Sequence, residues 1–229
     1  MTFSIIARCP RTGALGVGTA TGEMAVGSRV PFVRAGVGAV ATQALTNPAL
    51  GVLGLNLLGL GYAAAKVLDE LAGSDPFVEN RQLAVVDLFG RAAARTGTAN
   101  KDWKGHHVGD GFVAMGNKLV SAAVVDDMAS AFAAAADAGL AERLCRALEA
   151  GRDAGGQPDG QRSAALLICE DRPFPAVDLR VDRHAEPVGE LRALLEDYTP
   201  LMPYYRARAA DPSVGPWDEW LARNAPVGG

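Results

Sequence analysis

The sequence has 229 residues, of which 49% are apolar, with 22 Lys and Arg against 26 Asp and Glu and a formal net charge of −4. This length and composition suit one large domain or two small ones and exclude a chain that is disordered throughout. The mild acidity and the lack of any run of Lys and Arg argue against nucleic acid as a partner, because affinity for the phosphate backbone comes from clustered positive charge.

The first forty residues alternate apolar and polar positions between turn signals, which indicates β-strands. We predict a strand over 3–8, a hairpin turn at 10–13, a return strand over 15–21 and, after a break at Pro31, a strand over 36–43. The N-terminus lacks the basic flank and the apolar stretch of a secretory signal, and the cysteines are widely spaced without a CxxC pair. These features predict a cytoplasmic protein with reduced thiols.

An uncharged segment over 49–65 follows, and it opens with Asn47 as a helix cap and Pro48 in the first turn. A membrane-spanning helix needs about 20 apolar residues, and the glycines in this segment weaken a continuous helix. We therefore predict two short buried helices that meet near 59–61, and no membrane partner.

The rest of the chain repeats the order of strands and then helices. The predicted elements are hairpin strands over 83–87 and 91–96, a strand over 111–120, helices over 122–136 and 140–150, and strands over 163–169 and 177–182. This order predicts one domain over 1–185 in which sheets are layered between helices.

Residues 186–229 differ in character from the rest of the chain. An amphipathic helix is predicted over 190–196, and a segment rich in Pro, Tyr and Trp follows it. We expect this tail to pack on the body or on a partner subunit, and we predict a homodimer, the commonest assembly of this kind.

The familiar catalytic and cofactor motifs are poorly represented. The glycines of 36–41 lie within a predicted strand rather than at a strand-to-helix turn, which argues against a dinucleotide site. His106 and His107 are adjacent and have no metal-ligand spacing, and His184 lies among charged residues. No GxSxG motif is present. We therefore predict neither a metal nor an organic cofactor.

Thr2 is the one unusual hydroxyl residue, because removal of Met1 would make it the first residue. A terminal threonine holds both a nucleophile and a base, since its own α-amine can take the hydroxyl proton. Threonine is also simply common as a second residue, and position alone does not decide between the two interpretations.

Several runs in the sequence carry a family resemblance. The runs are TFSIIAR at 2–8, GALGV at 13–17, VGSRVPF at 26–32 and RAGVGAVATQA at 34–44, with shorter matches that continue to about residue 195. In combination they resemble an uncharacterised prokaryotic domain-of-unknown-function family that has an N-terminal nucleophile (Ntn) hydrolase-like fold.

The resemblance implies an α+β fold, a four-layer αββα sandwich, with Thr2 as the nucleophile at the start of the first strand. The implied activity is that of an amidohydrolase that cleaves an amide bond of a small molecule or short peptide. The alternative is a non-catalytic protein that keeps the Ntn fold for binding or assembly.

An amide hydrolase of this kind also needs donors for the oxyanion. Thr42 and Gln43, at the end of their strand, are the first candidates by analogy with related Ntn enzymes, and Asn117 is the second. The hydroxyls of Thr19 and Thr21, on the strand that pairs with the first, are candidates to orient the amine.

Charged side chains are expected around the same site. Arg29 or Arg34 would favour the neutral, basic form of the amine, although both arginines also suit surface or interface ion pairs. Arg81 and Gln82 are candidates to bind a substrate carboxylate, because a guanidinium fork matches its geometry.

Overall fold

Residues 1–224, the part of the chain that the computed structural model describes, form two antiparallel β-sheets and the helices around them. In chain order the strands are β1 (Thr2–Arg8), β2 (Leu15–Thr21), β3 (Pro31–Arg34), β4 (Gly38–Ala44), β5 (Arg81–Asp87), β6 (Ala92–Thr96), β7 (Gly105–Gly109), β8 (Phe112–Asn117), β9 (Ser163–Cys169) and β10 (Val177–Val181). The α-helices are α1 (Pro48–Gly59), α2 (Ala64–Ser74), α3 (Ala123–Ala134), α4 (Leu140–Asp153), α5 (Pro187–Tyr198), α6 (Met202–Ala210) and α7 (Trp217–Asn224). The α+β class predicted from the sequence is confirmed.

The larger sheet has the strand order β10-β9-β2-β1-β8-β7, and the smaller sheet has the order β3-β4-β5-β6. Strand β1 lies in the interior of the larger sheet. There Thr2 pairs with Thr21 of β2 on one side and with Asn117 of β8 on the other. Main-chain hydrogen bonding on both sides therefore fixes the position of Thr2.

Alternation along β1 directs its side chains to two different layers. Phe3 and Ile5 belong to the apolar cluster that the larger sheet forms with α3, α4 and α5. Ile6 belongs to a second cluster, between the two sheets, and Ser4 reaches the smaller sheet by a hydrogen bond to Gln43. Thr2 has the same parity as Ser4 and Ile6, so its side chain lies on the face that is turned toward the smaller sheet.

Strand β2 carries glycine at the positions where it faces α4. A Cβ atom on Gly16 would lie 2.8 Å from Cδ1 of Leu144, and one on Gly18 would lie 3.2 Å from Cδ1 of Leu148. Glycine therefore lets α4 approach the sheet closely at these two positions.

Helices α1 and α2 cover the outer face of the smaller sheet through a third apolar cluster that includes Val40, Leu58 and Leu71. Asn47 caps α1, because its side-chain oxygen accepts a hydrogen bond from the Ala49 N–H at 3.1 Å. The two short helices predicted for this segment are confirmed. Among residues 1–224, no helix has the length and apolar character required to cross a membrane.

The C-terminal segment joins the body through α5, which packs against α4, β9 and β10. Arg192 of α5 donates two hydrogen bonds of 2.8 Å to the carboxylate of Glu149 and one to Glu142, both on α4. Farther along, the Tyr204 ring contacts those of Trp217 and Trp220 at centroid distances of 5.4 and 5.7 Å. Residues 225–229 of the predicted tail lie outside the described residues, and the division at residue 185 stays a prediction.

Two strands were not predicted from the sequence. Pro31 was interpreted as a break, but it is the first residue of β3, an edge strand, where the missing N–H of proline removes no ladder bond. No strand is predicted around His106 and His107, but both lie in β7, the edge strand beside β8.

Candidate active site

A cavity of about 540 Å³ opens beside Thr2, at the end of the two sheets where β1 begins. It is lined by Met1, Thr2, Thr21, Glu23, Val26, Arg29, Val30, Ala44, Leu45, Thr46, Arg81, Ala99, Asn100, Lys101, Asn117 and Lys118. The cavity therefore brings together five of the site residues predicted from the sequence, namely Thr2, Thr21, Arg29, Arg81 and Asn117.

Thr2 is 5% exposed, and its hydroxyl lies within hydrogen-bonding distance of the Thr21 hydroxyl. The two Oγ1 atoms are 3.1 Å apart, and the Thr21 hydroxyl also donates a hydrogen bond to the carbonyl oxygen of Met1. Thr21 was predicted to orient an amine at this place. The contact with Met1 shows that its hydroxyl reaches the peptide group that joins Met1 to Thr2.

The environment of the chain's amino group favours its neutral form. Burial is the largest cause that lowers the pKa of the Met1 amine below its usual value of 8.0. The negative charge of Glu23 raises this pKa, whereas the positive charges of Lys118 and Lys101 lower it further, and the balance lies below 8.0. An amine in these surroundings is more available as a base at neutral pH than a free α-amine in water.

A network of amides and hydroxyls lies beneath the cavity and links the two sheets. Ser4 donates to Oε1 of Gln43 at 2.6 Å, and Nε2 of Gln43 donates to Oε1 of Gln82 at 2.7 Å. Asn117 donates to the same Gln82 oxygen at 3.0 Å. Ser4, Gln43 and Gln82 are fully buried, so each of these hydrogen bonds satisfies a group that would be costly to leave unpaired.

The predicted residues Gln43 and Gln82 therefore lie beneath the site rather than at its surface. Gln82 also donates to the carbonyl oxygen of Gly116 at 2.8 Å, the residue before Asn117. The pair thus holds the end of β8, and with it Asn117, against the smaller sheet. Its place in the structure suits positioning of the site better than contact with a substrate.

Three other predicted residues, Thr19, Thr42 and Arg34, do not line the cavity. The Thr19 hydroxyl lies 2.7 Å from the Ser4 hydroxyl, within hydrogen-bonding distance. The Thr42 hydroxyl is directed to the start of α1, where it donates to the Asn47 carbonyl at 3.4 Å, and its N–H bonds to the Val30 carbonyl at 3.2 Å. Arg34 ends β3 at the far end of the smaller sheet and donates to the carbonyl of Leu55. The alternation of β4 and the length of the hairpin thus separate the Thr42 and Arg34 side chains from Thr2.

Arg81 lines the cavity but is engaged by the protein. Its Nε donates to Oδ2 of Asp75 at 2.7 Å, and Nη1 donates to the carbonyl oxygen of Leu45. This ion pair lowers the pKa of the Asp75 carboxyl, more than burial of that carboxyl raises it. Arg81 therefore supports the wall of the cavity rather than offering an open fork to a carboxylate.

Sequence reasoning missed two lysines of the cavity wall, Lys101 and Lys118. The main chain brings them together, because the Lys118 N–H donates to the Lys101 carbonyl at 3.0 Å. Lys118 forms an ion pair with Asp159, and Arg29 donates to the Met24 carbonyl at 2.9 Å. No local motif marks these lysines, since they lie in different segments that meet only in the folded chain.

The residues with positive φ other than glycine, in the part of the chain that the structure describes, flank this cavity. Ala44 and Lys118 line it with φ of 75° and 51°, and Ala25, with φ of 55°, immediately precedes the lining residue Val26. Such conformations cost of order 1–3 kcal/mol each and are found predominantly at functional sites. Their position supports a functional role for the cavity.

None of the three histidines lines the cavity. Nδ1 of His106 is 2.8 Å from the Thr96 hydroxyl, and partial desolvation of the ring by neighbouring residues lowers the pKa of its imidazole. Within residues 1–224, no group of three or more His, Cys, Asp and Glu side chains is arranged to hold a metal ion.

Comparison with known proteins identifies the family. Residues 2–191 match the model of a family of unknown function, DUF1028. The chain belongs to this family. A crystal structure of a DUF1028 protein from Silicibacter pomeroyi has 38% sequence identity and a TM-score of 0.80, and the match covers 86% of this chain and 89% of that one. The resemblance to a domain-of-unknown-function family found in the sequence is thereby confirmed.

A more distant match to this DUF1028 protein is Anbu (ancestral beta-subunit) from Yersinia bercovieri. It has 12% identity and a TM-score of 0.43 and covers 90% of this chain and 96% of that one. A likeness at this level carries no argument about fold or activity. No curated protein sequence matches the chain.

Proposed function

We propose that this DUF1028 protein is an Ntn-type amidohydrolase that cleaves an amide bond of a small molecule or short peptide. Thr2 becomes the first residue when Met1 is removed, and it serves as the nucleophile. The observation that carries the proposal is the hydroxyl of Thr2 at the wall of a 540 Å³ cavity, hydrogen-bonded to Thr21, in an interior strand of the larger sheet.

The arrangement of layers agrees with an Ntn-type αββα sandwich. The two sheets enclose one apolar cluster between them, and helices cover the outer face of each sheet. The sequence runs that resemble the Ntn-like family include the first strand itself. These two observations support the assignment of the nucleophile to the start of β1.

The chemistry that we propose needs only the chain's own groups. The neutral α-amine of Thr2 accepts the proton of the Thr2 hydroxyl, directly or through water, while Oγ1 attacks the carbonyl carbon of the amide. The resulting tetrahedral oxyanion collapses, the C–N bond breaks, and the proton passes from the ammonium to the departing amine. Water then hydrolyses the acyl ester and restores Thr2.

Asn117 is the best placed donor for the oxyanion in this scheme. It pairs with Thr2 across the strands β1 and β8, lines the cavity, and uses one Nδ2 hydrogen on Gln82. A second Nδ2 hydrogen is available for a ligand. Loss of one such donor costs about 3 kcal/mol in the barrier of characterised hydrolases.

The test begins with the intact mass of the purified protein, which reports whether Met1 has been removed. The Met1-free protein is then assayed on a panel of p-nitroanilide amides and treated with a β-lactone, which acylates a nucleophilic threonine. We expect Thr2→Ala to abolish turnover and labelling, and Thr2→Ser to retain part of both, because serine keeps a hydroxyl and an amine.

A mature protein that retains Met1 would contradict the mechanism, since Thr2 would then have no free amine. Equal turnover by the wild type and Thr2→Ala would remove Thr2 from the chemistry. Ligand binding without turnover by the Met1-free protein would favour the second candidate, a non-catalytic binding protein, to which the positively charged wall of the cavity also points.

A further inference from the structure

The side of the cavity next to Thr2 carries an unusual pair of positive charges. Lys101 and Lys118 both line it, as Thr2 does. The pairing of their segments continues beyond the lysines, since Trp103 and Leu119 exchange main-chain hydrogen bonds of 3.0 and 3.2 Å. The backbone therefore fixes these two residues, here called the lysine pair, side by side.

Placing like charges beside each other costs stability, so the fold needs a reason to hold them there. Only one carboxylate, Asp159, forms an ion pair with the lysine pair in the described residues, and 61% of its side chain is exposed. Lys118 also adopts the left-handed conformation, which is unfavourable for a residue with a side chain. Both the repulsion between the two lysines and the backbone conformation of Lys118 therefore reduce stability at this wall of the cavity.

The other charged side chains that line the cavity do not neutralise the lysine pair. Arg29 lines the cavity and makes no ion pair in residues 1–224, while Glu23 is the one carboxylate among the described lining residues. The chain as a whole carries −4, so a cationic cavity is a local feature and not a consequence of composition. Such a cavity concentrates anions from solution.

We infer that the lysine pair is a carboxylate-binding subsite, and that the substrate is an amide that carries a carboxylate. The inference rests on the proposed function for the place of the scissile bond, beside Thr2. The carboxylate lies on the lysine pair and fixes the orientation of the amide with respect to the Thr2 hydroxyl. Both lysines also lower the pKa of the adjacent amine, which agrees with their facing the same space.

The subsite can be tested without turnover, on Met1-free Thr2→Ala protein prepared by cleavage of an N-terminal fusion. Glutarate represents a carboxylate on the acyl portion, and N-acetylglycine represents one on the amine portion. Glutaramide and N-acetylglycinamide are their neutral counterparts. In titration calorimetry at low salt, we expect one of the two anions to bind and its neutral counterpart to bind at least about fivefold more weakly.

Lysine variants then test whether the anion binds at the lysine pair. Lys101→Met and Lys118→Met should each weaken binding of the anion about three- to fivefold, a size expected when one charged partner of a partly exposed ion pair is lost. Lys66→Met is the matched control, because Lys66 lies on α2 and is paired with Glu70, and it should change binding less than about twofold. A circular dichroism spectrum equal to that of the parent would show that each variant is folded.

Two results would overturn the inference: neither anion binds, or an anion binds with the same affinity when either lysine is replaced. The result is separate from that for the proposed function. An anion bound through the lysine pair by a protein whose wild type cleaves no amide would leave the subsite in place and remove the hydrolase.

Discussion

At the scale of single residues, the proposed chemistry depends on the protonation of one amine. A base must be neutral to accept the hydroxyl proton, so the proposed activity of the Met1-free protein is expected above the pKa of the Thr2 amine and not below it. The groups that act on the Met1 amine, which is one residue away, are burial, Glu23, Lys118 and Lys101. The same groups are expected to act on Thr2.

The first prediction is that removing a charge near the amine shifts the midpoint of the pH–rate profile, in a direction set by the sign of that charge. The rate should rise with pH to a plateau, with a midpoint below 8.0, the usual pKa of an α-amine. Glu23→Gln removes a negative charge that raises this pKa, so the midpoint should move to lower pH. Lys118→Met removes a positive charge, so the midpoint should move to higher pH. The measurement is kcat/KM against pH.

Glu70→Gln serves as the control for this prediction, because Glu70 lies on α2 in an exposed pair with Lys66. Its midpoint should equal that of the wild type. Shifts of the same sign in Glu23→Gln and Lys118→Met would contradict an amine as the base.

Some residues of the candidate site could be predicted from the sequence, and others could not. Thr2 was found from its position in the chain, and Asn117 from its place within a predicted strand. Lys118 could not be found in this way, because its relation to Lys101 exists only after two segments pair through their main chains. The direction of Thr42 likewise depends on the exact register of β4 with its neighbours.

At the scale of elements, the contact between β2 and α4 depends on the absence of side chains. We predict that Gly16→Ala destabilises the protein by about 1–3 kcal/mol, as extra methyl groups in tight cores do. The added Cβ would lie 2.8 Å from Leu144 and 2.9 Å from Ile168, and both side chains are buried. Urea unfolding followed by circular dichroism measures the change.

Gly73→Ala on α2 is the matched substitution, since no atom lies within 4 Å of the added Cβ. It should stabilise the helix by up to about 1 kcal/mol, because alanine is the better helix former. Equal effects of the two substitutions would show that α4 does not pack on β2 as described.

The elements that sequence reasoning found and those it missed differ in burial. Strands β2 and β9 were predicted with their observed ends, because the alternation of β2 and the apolar run of β9 are each bounded by turn signals. Strand β7, with the sequence GHHVG, has no buried residue, and therefore no alternation of apolar side chains to reveal it. Strand β7 is recognised only from its main-chain hydrogen bonds to β8, which form when the chain folds.

At the scale of the whole molecule, the reactivity of two of the three cysteines can be used to test whether the regions around them are folded. Cys145 is completely buried in α4, and burial raises the pKa of its thiol to about 12. Burial also raises the pKa of the Cys9 thiol, but hydrogen bonds from Thr12 and Arg11 outweigh this and leave it below its usual value. Cys9 also lines a second cavity, of about 360 Å³.

We therefore predict that iodoacetamide at pH 8 modifies Cys9 in the native protein at least about tenfold faster than Cys145, because the thiolate is the reactive form. Peptide mass spectrometry measures the two rates. In urea above the unfolding midpoint the rates should become similar. Faster modification of Cys145 in the native state would contradict the packing of α4.

The assembly of the molecule stays a prediction. The homodimer was inferred from the Tyr and Trp side chains of the tail, and the structure shows Tyr204, Trp217 and Trp220 packed on one another within the same chain. Light scattering during size-exclusion chromatography measures the mass in solution. A monomer would mean that these contacts satisfy the aromatic side chains without a partner.

The joint between the two sheets beneath Thr2 consists of Ser4, Gln43, Gln82 and Asn117, none of which titrates between acid and alkaline pH. The titratable groups nearest to this joint are the charged side chains at the rim of the cavity and His106, which reaches Gln82 through the Thr96 hydroxyl. A pH-dependent rate of the proposed hydrolase is therefore expected to report on these surrounding groups, because the joint itself carries no charge to gain or lose.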